Sequence, residues 1–331
     1  MSNFFCTFAA AKVLEMKIAF TTSLPAEGFK RLTERGYGLQ VMGDRSDIIQ
    51  DAEVLVSTFD YRVDKAMIDA MPHLKLIANF GAGYNNIDLE TCKARGIRVT
   101  NTPQPVIEPT AELAFALMID VARRVSEFDR TVRAGKAEFG VMRNLSHSLY
   151  GKTLGILGMG RIGQALARRA VASGMRILYH NRHEINGDAL KALNGGNDEM
   201  VKYVDFQTLL QDSDFLSLNL PYTPQVHHII GKPELGMMKR SAYLINTARG
   251  AHVDEAALVE ALKSGIIAGA AMDVYEHEPA VSPELLSLPN VVLSPHTGTG
   301  TWEGRIAMCE CVTDNILAFA NKDFNKMNIV L

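Results

Sequence analysis

Short apolar runs alternate with longer segments in which apolar residues recur every three or four positions. In the first hundred residues, the apolar runs predict strands at MKIAFT, AEVLVST, LKLIANFGAG and IRVTNTP. The segments between them predict helices at LPAEGFKRLTERG, KAMIDAMPHL and NIDLETCKARG. Apolar strands that alternate with helices are typical of a parallel sheet covered by helices on both faces. The pattern therefore predicts an α/β domain with a doubly wound parallel sheet.

A long helical segment separates this series from a second one. Leu113, Leu117 and Val121 are spaced by four in the segment that starts at Glu108, and we expect one helix that ends at Gly135. After a loop, the second series predicts strands at KTLGILG, RILYHN, DFLSLNLP, AYLINTARG, IAGAAMDVY and VVLSPHTG. The same reasoning predicts a second doubly wound parallel-sheet domain.

The C-terminal segment TWEGRIAMCECVTDNILAFANK predicts a final helix. Ile306, Cys309, Val312 and Ile316 recur there at spacings of three and four, which gives the segment one apolar face. We expect this helix to return to the first domain, which would make that domain discontinuous in sequence.

The expected organisation is therefore two domains that face each other across a cleft with two chain crossings. The first domain would comprise residues 16–107 together with 302–331, and the second would comprise residues 108–301. Residues 1–15 are expected to form an N-terminal extension before the first strand.

A glycine fingerprint follows the first strand of the second series. Gly158, Gly160 and Gly163 lie between the apolar strand TLGIL and the helical segment RIGQALARRAVASG. In this context the first glycine permits a tight turn, the second lets the backbone approach a pyrophosphate, and the third lets helix pack on strand. The N–H groups at the helix N-terminus suit anionic oxygens. The fingerprint predicts that the second domain binds a dinucleotide.

The next strand, MRILYH, ends without the acid that usually binds a ribose 2′-OH. The residues there are Asn181, Arg182 and His183. An arginine presents a fork that suits a phosphate, so we expect NADP(H) to be preferred, with Arg182 as the phosphate partner and Asn181 or His183 assisting. The alternative is a solvated arginine with NAD(H) or dual cofactor use, which the neighbouring Glu184 keeps open.

Composition narrows the class of protein. Of the 331 residues, 47% are hydrophobic, which is enough to fill two cores. The net charge of -3 gives no basis for a general affinity for nucleic acid or anionic membranes. No stretch reaches the roughly 20 apolar residues of a transmembrane helix, and the N-terminus lacks the basic region of a signal peptide. We expect a cytoplasmic protein with neither nucleic-acid nor membrane partners.

The potential metal ligands of the chain do not form a recognisable site in the sequence. Its cysteines are Cys6, Cys92, Cys309 and Cys311. In a chain of this length they indicate buried thiols of a reducing compartment, and their spacing fits no paired zinc motif. The adjacent His227 and His228 cannot both face one ion from a regular element, and no cysteine or carboxylate cluster joins them. They are interpreted as a solvated loop, and no metal is expected.

Three further motifs follow predicted strands of the second domain, where open α/β sheets bind their ligands. They are INTARG with Arg249, AMDVYEHEP with Asp273 and Glu278, and LSPHTG with His296. Together with the glycine fingerprint, they resemble the D-isomer-specific 2-hydroxyacid dehydrogenase family, and more narrowly its glyoxylate/hydroxypyruvate reductase branch. The resemblance extends over nearly the whole chain from Met16. It implies a Rossmann nucleotide-binding domain and a flavodoxin-like substrate domain.

The reduction of a 2-keto acid requires a hydride donor, a proton donor, and a group that binds the carboxylate and polarises the carbonyl. An imidazolium can donate a proton near neutral pH, and an adjacent carboxylate stabilises its charged form. The resemblance implies that His296 is the acid/base, that Glu278 is its partner, and that Arg249 binds the substrate's carboxylate and carbonyl oxygens. It also implies that Asp273 holds the nicotinamide carboxamide.

The resemblance implies further binding residues. Those expected to contact the cofactor are Gly158, Gly160, Arg161, Ile162, Gly163, Asn181, Arg182, Pro221, Thr247, Ala248, Asp273, His296 and Gly298. Those expected to contact the substrate are Gly81, Ala82, Gly83, Arg249 and His296. The N–H groups of the glycine-rich turn would bind a carboxylate as a nest.

Some positions depart from the family's common pattern. Tyr84 and Asn85 replace an aspartate that commonly follows the glycine-rich turn, and Asn219 stands where a histidine is common. Trp302, the only tryptophan, has two open roles, in the substrate pocket or in simple packing.

We expect NADPH-dependent reduction of glyoxylate or hydroxypyruvate to the D-2-hydroxy acid. Two alternatives stay open. One is a reductase of bulkier keto acids such as 2-ketogluconate or an aryl pyruvate, and the other is a dinucleotide-sensing corepressor scaffold on the same fold. The resemblance also implies a homodimer formed through the helix after Glu108 and the loop EFGVMRN.

Overall fold

A computed structural model describes residues 14–43, 47–185, 187–194 and 200–331. Residues 1–13, which make up most of the expected N-terminal extension and include Cys6, lie outside the described residues. The described chain forms two compact units. The first unit ends at Val106 and resumes at Thr299–Leu331, and the second comprises Ile107–Gly298.

The first unit contains a five-stranded sheet in which every strand pair is parallel. Its strands are β1 (Leu14–Phe20), β2 (Tyr37–Val41), β3 (Val54–Thr58), β4 (Leu76–Phe80) and β5 (Arg98–Thr100). Their order is β2-β1-β3-β4-β5, which is the flavodoxin-like order. Every residue of β3 and β4 is buried, because helices cover both faces of such a sheet. The expected flavodoxin-like fold is confirmed.

Helices from both ends of the chain complete the first unit. They are α1 (Lys30–Thr33), α2 (Lys65–Asp69), α3 (Leu89–Ala94) and the C-terminal helix (Trp302–Ala320). The C-terminal helix packs on β4 and buries Cys309, Val312 and Ile316. The hydroxyl of Thr313 in this helix donates to the carbonyl of Gly28 at 2.8 Å. The apolar face read from the sequence is therefore the face that packs on the sheet.

The second unit contains a seven-stranded parallel sheet. Its strands are β6 (Thr153–Leu157), β7 (Arg176–His180), β8 (Val201–Tyr203), β9 (Phe215–Leu218), β10 (Tyr243–Asn246), β11 (Gly269–Met272) and β12 (Val291–Leu293). Their order is β12-β11-β10-β9-β6-β7-β8. The winding direction reverses between β6 and β9, where doubly wound sheets bind their ligands. The expected Rossmann fold is confirmed.

The second unit contains eight helices within the described residues. They are α4 (Ile107–Arg123), α5 (Val125–Arg133), α6 (Arg161–Ala172), α7 (Gly187–Asn194), α8 (Phe206–Asp212), α9 (Lys232–Met237), α10 (Glu255–Lys263) and α11 (Pro283–Ser287). Single 3₁₀ turns occur at Ala26–Phe29, Pro224–Val226, Gly250–His252 and Phe324–Lys326. α4 packs against α6 and β10, so the apolar spacing of α4 belongs to the core of the second unit.

The prediction of a single helix from Glu108 to Gly135 is wrong. Arg124 separates α4 from α5 and has a left-handed φ of 57°. Its guanidinium bonds to Glu127 at 2.5 and 2.8 Å and to the carbonyl of Leu145 at 3.1 Å. No residue of α5 is buried, so the apolar face ends with α4. The spacing of apolar residues does not reveal the break, because it carries no information about these polar contacts, one of which joins Arg124 to Leu145, 21 residues away.

Apolar runs also fail to predict β2 and β8, which lie at the edges of their sheets. Exposure is mixed along β2, and two of the three residues of β8 are exposed. An edge strand has one side without a neighbouring strand, and these two need fewer apolar residues than the central strands. The pattern therefore reveals the buried strands and misses these edges.

The described cysteines are free thiols. Cys92 and Cys309 are buried, as expected, whereas Cys311 is half-buried. Burial raises the pKa of Cys309 to about 12 and the pKa of Cys311 to about 11. Among the described helices, none combines the length and the apolar character that crossing a bilayer would require.

Candidate active site

The glycine fingerprint forms a tight turn between β6 and α6. Gly158 has a φ of 100°, and a Cβ there would lie 2.7 Å from the backbone of Asn219 and Leu220. A Cβ on Gly163 would lie 2.4 Å from the carbonyl oxygen of Gly158. Both positions therefore require glycine, because backbone approaches backbone at each of them.

Gly160 is different, because among the described residues no atom beyond its chain neighbours lies within 4 Å of the position of its absent Cβ. Gly160 is the N-cap of α6, and the first helical bond runs from the Gln164 N–H to the Gly160 carbonyl at 2.9 Å. The N–H groups of Arg161, Ile162 and Gly163 precede that bond and point toward the helix N-terminus. The open space before these N–H groups suits a pyrophosphate.

Two buried oxygens beyond neighbouring strands lack a hydrogen-bond partner within the described part of the chain. They are the Thr247 hydroxyl, after β10, and the side-chain oxygen of Asn219, after β9. Of the other expected cofactor residues there, Pro221 is exposed and Ala248 is half-buried. Buried polar atoms without partners are costly, so these two suit contact with a polar ligand. These residues therefore fit a dinucleotide.

The residues after β7 separate into two roles. The Asn181 side-chain oxygen accepts from the Met159 N–H at 2.7 Å, so it ties the end of β7 to the glycine turn. Arg182 and His183 are exposed, and Arg182 forms no ion pair within the described residues. The guanidinium of Arg182 is therefore available to an anionic ligand.

His296 and Glu278 form a hydrogen-bonded pair. The distance from His296 Nδ1 to Glu278 Oε2 is 2.7 Å, and the Tyr275 N–H donates to the other carboxylate oxygen at 3.0 Å. Burial alone would raise the pKa of Glu278, but the bonds from His296 and Tyr275 and the charge of Arg249 lower it overall. The carboxylate is thus held ionised, and because it occupies Nδ1, Nε2 is the nitrogen that can exchange a proton with a substrate.

Asp273 holds the loop that carries His296. Its carbonyl accepts from the His296 N–H at 2.7 Å, and its carboxylate accepts from the N–H groups of Thr297 and Gly298, each at 2.8 Å. His296 itself has a left-handed φ of 53°. Burial raises the pKa of Asp273, although these bonds oppose the effect. The sequence motif did not reveal this contribution of Asp273 to the loop.

Arg249 lies at the end of a turn that a buried asparagine fixes. The Asn246 side chain accepts from the Ala248 N–H at 3.0 Å and donates to the Arg249 carbonyl at 2.9 Å. A Cβ on the following Gly250 would lie 1.9 Å from the Tyr275 backbone, so this turn approaches the loop that leads to Glu278. Burial lowers the pKa of Arg249, which the charge of Glu278 opposes. Arginine nevertheless stays charged near neutral pH.

The glycine-rich turn of the first unit follows β4. The Asn79 amide donates to the carbonyls of Gly81 and Gly83 at 3.1 and 2.8 Å, and the Asn101 amide donates to the Ala82 carbonyl at 2.8 Å. The Gly81 N–H bonds back to the Asn79 carbonyl at 3.1 Å. Within the described residues, no partner is recorded for the N–H groups of Ala82 and Gly83. Two of the three expected donors are therefore available to an anion.

Three positioning residues, Asn79, Asn101 and Asn246, were missed in the sequence. Asn79 and Asn246 are buried at the carboxyl ends of β4 and β10, and each directly precedes or lies within a motif that was singled out. A buried asparagine beside a functional turn indicates that its amide satisfies the backbone of that turn. The position of these residues is the signal that could have found them.

The structure changes two other interpretations of the sequence, those of the His227–His228 pair and of Trp302. The expectation that no carboxylate joins His227 and His228 is wrong, because His228 Nε2 lies 2.6 Å from Glu276 Oε1, and His228 is half-buried. Glu276 is distant in sequence, so only the fold brings it there. Trp302 is the first residue of the C-terminal helix and is 74% exposed, so it is not a core packing residue.

Several known proteins are similar to this chain. Residues 115–298 match the NAD-binding domain of the D-isomer specific 2-hydroxyacid dehydrogenases. A glyoxylate reductase from Thermococcus litoralis is 44% identical over 320 residues, which cover 93% of this chain and 94% of that protein.

Two solved structures are also similar. A glyoxylate reductase from Paecilomyes thermophila has 35% identity and a TM-score of 0.84, with 96% of this chain and 98% of that chain covered. An NADPH-dependent glyoxylate/hydroxypyruvate reductase from Sinorhizobium meliloti, solved with NADP and malonate, has 32% identity and a TM-score of 0.81, with 93% and 94% covered.

The matched domain is more than half of the chain, and the Thermococcus litoralis relative aligns over nearly all of it. The resemblance drawn from Arg249, Glu278 and His296 is thereby confirmed. The chain belongs to the D-isomer-specific 2-hydroxyacid dehydrogenase family.

Proposed function

We propose that this oxidoreductase reduces a small 2-keto acid, glyoxylate or hydroxypyruvate, to the corresponding D-2-hydroxy acid. The observation that carries the proposal is the 2.7 Å pair of His296 Nδ1 and Glu278 Oε2, with the charge of Arg249 acting on the same carboxylate. A proton donor and a carboxylate-binding cation are the two groups that this reaction needs from the protein. Relatives named glyoxylate reductase at about 40% identity support the small substrate.

Each residue contributes a separate task. A bound nicotinamide would supply the hydride. The Arg249 guanidinium holds the substrate carboxylate and polarises its carbonyl. His296 delivers a proton from Nε2 to the developing alkoxide, while Glu278 stabilises the imidazolium beforehand. The N–H groups of Ala82 and Gly83 in the first unit are proposed as donors to an anion, since the Asn79 and Asn101 amides occupy the carbonyls of their turn.

The alternatives are less well supported. A reductase of bulkier keto acids would use the same His296 and Glu278, but the curated relatives that match nearly the whole chain are largely named glyoxylate reductases. A dinucleotide-sensing scaffold would not need an acid/base pair with an ionised partner. The pair therefore favours an enzyme, and the small substrate is the better assignment.

NADP(H) is the proposed cofactor, with NAD(H) as the second candidate. Arg182 is exposed beyond β7, where a carboxylate would otherwise bind the ribose hydroxyl and repel a phosphate. The Sinorhizobium meliloti relative was solved with NADP, which is consistent with this choice. Because the described cysteines are free thiols, we also propose a reducing compartment such as the cytoplasm.

A homodimer is proposed from an exposed apolar segment of the second unit. Between Val125 and Tyr150 the large apolar side chains that are at least half exposed are Val125, Val132, Phe139, Val141, Met142, Leu145 and Tyr150. Phe139 and Val141 are 91% and 95% exposed. So many exposed apolar side chains in one short segment mark a protein interface, and an identical chain is the partner that the family resemblance implies.

The proposed reaction predicts a specific loss in His296→Asn. Asparagine tolerates the left-handed φ of His296 but cannot donate the proton, so kcat for glyoxylate should fall by about 10² to 10⁴ fold. Steady-state NADPH oxidation should be measured with glyoxylate, hydroxypyruvate, 2-ketogluconate and phenylpyruvate. His277→Ala, which removes a nearby exposed histidine, should leave kcat unchanged. Highest kcat/KM for a bulky substrate would contradict the small-substrate assignment, and no turnover of any keto acid would favour the scaffold.

Glu278→Gln should destabilise the protein in a pH-dependent way. The folded pKa of Glu278 lies below its ordinary value of 4.5, so its ionised form stabilises the folded state above that pH, and this contribution is lost as pH falls through the folded pKa. Denaturant unfolding should show a loss of about 1–2 kcal/mol near pH 7 that shrinks once the pH falls below 4.5. The exposed Glu303→Gln serves as control and should change little. A loss that stays constant with pH would refute the charged role of Glu278.

Arg182→Ala should change cofactor preference. Loss of a phosphate partner should lower kcat/KM for NADPH by about 10 to 100 fold and leave kcat/KM for NADH nearly unchanged. Arg176→Ala removes an exposed arginine from the other end of β7 and is the matched control. If the NADPH/NADH ratio is the same in Arg182→Ala and in the wild type, Arg182 does not discriminate the cofactors.

Light scattering should give twice the mass of one chain for the wild type. Adding charge to the exposed segment with Phe139→Asp and Val141→Asp should shift the protein toward monomer, because burying carboxylates in an apolar interface is costly. Leu286→Asp changes an equally apolar residue, 64% exposed on α11, and should leave the dimer intact. A monomeric wild type would exclude the proposed dimer.

A further inference from the structure

Three potential metal ligands that the proposed reaction does not use meet in the second unit. His227 and His228 lie in the loop after β9, and Glu276 lies in the loop after β11. One ligand atom from each of the three lies within 4.8 Å of the others. The two imidazole rings stack with centroids 3.9 Å apart, and His228 Nε2 lies 2.6 Å from Glu276 Oε1.

The two adjacent histidines can both face one metal ion here, because the backbone between them is not regular. His228 has a left-handed φ of 51°. Its N–H donates to the Ala251 carbonyl at 2.9 Å, which fixes the loop against the turn that follows Arg249. In an extended strand, neighbouring side chains would point to opposite faces. The left-handed residue removes that alternation, so both rings lie on one side.

The outer atoms of the cluster are already oriented by the protein. The Tyr222 hydroxyl lies 3.3 Å from His227 Nδ1, which leaves Nε2 of that ring for a metal. The second oxygen of Glu276 accepts from the Glu255 N–H at 3.3 Å, and the Glu276 N–H donates back to Glu255 at 3.2 Å. Metal-binding histidines and carboxylates are commonly held by such outer hydrogen bonds.

The burial of the three residues suits an ion that enters from solvent. His227 is exposed, whereas the side chains of His228 and Glu276 are only 33% and 16% exposed. The ion would therefore reach His227 first and be partly shielded by the other two. Two imidazoles and one carboxylate favour zinc and similar borderline ions over magnesium or calcium, which prefer oxygen ligands.

We propose that His227, His228 and Glu276 bind one Zn²⁺ or Co²⁺ ion, with water completing the coordination. Arg249, Glu278 and His296 are not among its ligands, so the site goes beyond the proposed reaction. A bound ion would link the loop after β9, which carries residues expected to contact the cofactor, to the loop that continues to Glu278. The role of the ion is structural, because none of its ligands takes part in the proposed reaction.

The test is metal binding by the untagged, EDTA-dialysed protein, since a polyhistidine tag would itself bind the ion. Calorimetric titration with Zn²⁺ should give one site per chain, and Co²⁺ should give visible absorption bands of a low-coordinate site. His227→Ala and Glu276→Gln should each weaken Zn²⁺ binding at least tenfold. His228→Asn keeps a residue that tolerates the left-handed φ and should do the same. His277→Ala, an exposed neighbour outside the cluster, should bind as the wild type does.

Protons should compete with the ion, because imidazole must be neutral to bind it. Zn²⁺ affinity should therefore fall when the titration is repeated near pH 5.5. Equal affinity in wild type and His227→Ala, or loss of binding in His296→Asn instead, would place the ion elsewhere and overturn the proposal. Absence of saturable binding would also overturn it. None of these measurements uses a keto acid or NADPH, so failure of the metal site can be distinguished from failure of the proposed reaction.

Discussion

The candidate active site depends on the hydrogen bonds by which Asp273 holds the loop after β12. Three bonds from this one residue hold the backbone of His296, Thr297 and Gly298. They keep His296 in a left-handed conformation that a histidine adopts rarely and at some cost in free energy. With the backbone fixed, Nδ1 of His296 meets Glu278 at 2.7 Å. Asp273 and Glu278 together therefore fix the direction of the imidazole.

A similar arrangement occurs at the turns that we propose contact a ligand. A buried side chain satisfies the inner atoms of a turn, so its outer atoms are available. Asn246 does this for the turn of Arg249, and Asn79 does it for the glycine-rich turn after β4. Gly158 and Gly163 allow backbone to pack closely, since backbone occupies the space that a Cβ would need at each of them. Fixed turns of this kind cost no reorganisation when a ligand binds.

Much of the fold could be predicted from the sequence because central parallel strands must be apolar along their whole length. β3, β4 and β6 are buried throughout, and each lies within a predominantly apolar segment of the sequence. The glycine fingerprint and the motifs with Arg249, Glu278 and His296 were also local in sequence. Helix and strand limits were less accurate. β2 and β8 were missed at the sheet edges, and the break at Arg124 depends on contacts with Glu127 and with the distant Leu145.

The sequence by itself determined the fold class, the family and the residue types that the chemistry requires, because apolar periodicity and short motifs are properties of neighbouring residues. Only the tertiary structure decided which polar groups meet. It placed Glu276 beside His228, 48 residues apart in sequence, and it turned the carboxylate of Asp273 toward the loop of His296. Such contacts join the ends of different strands, and their directions depend on single backbone angles. No local pattern of hydrophobic and polar residues encodes them.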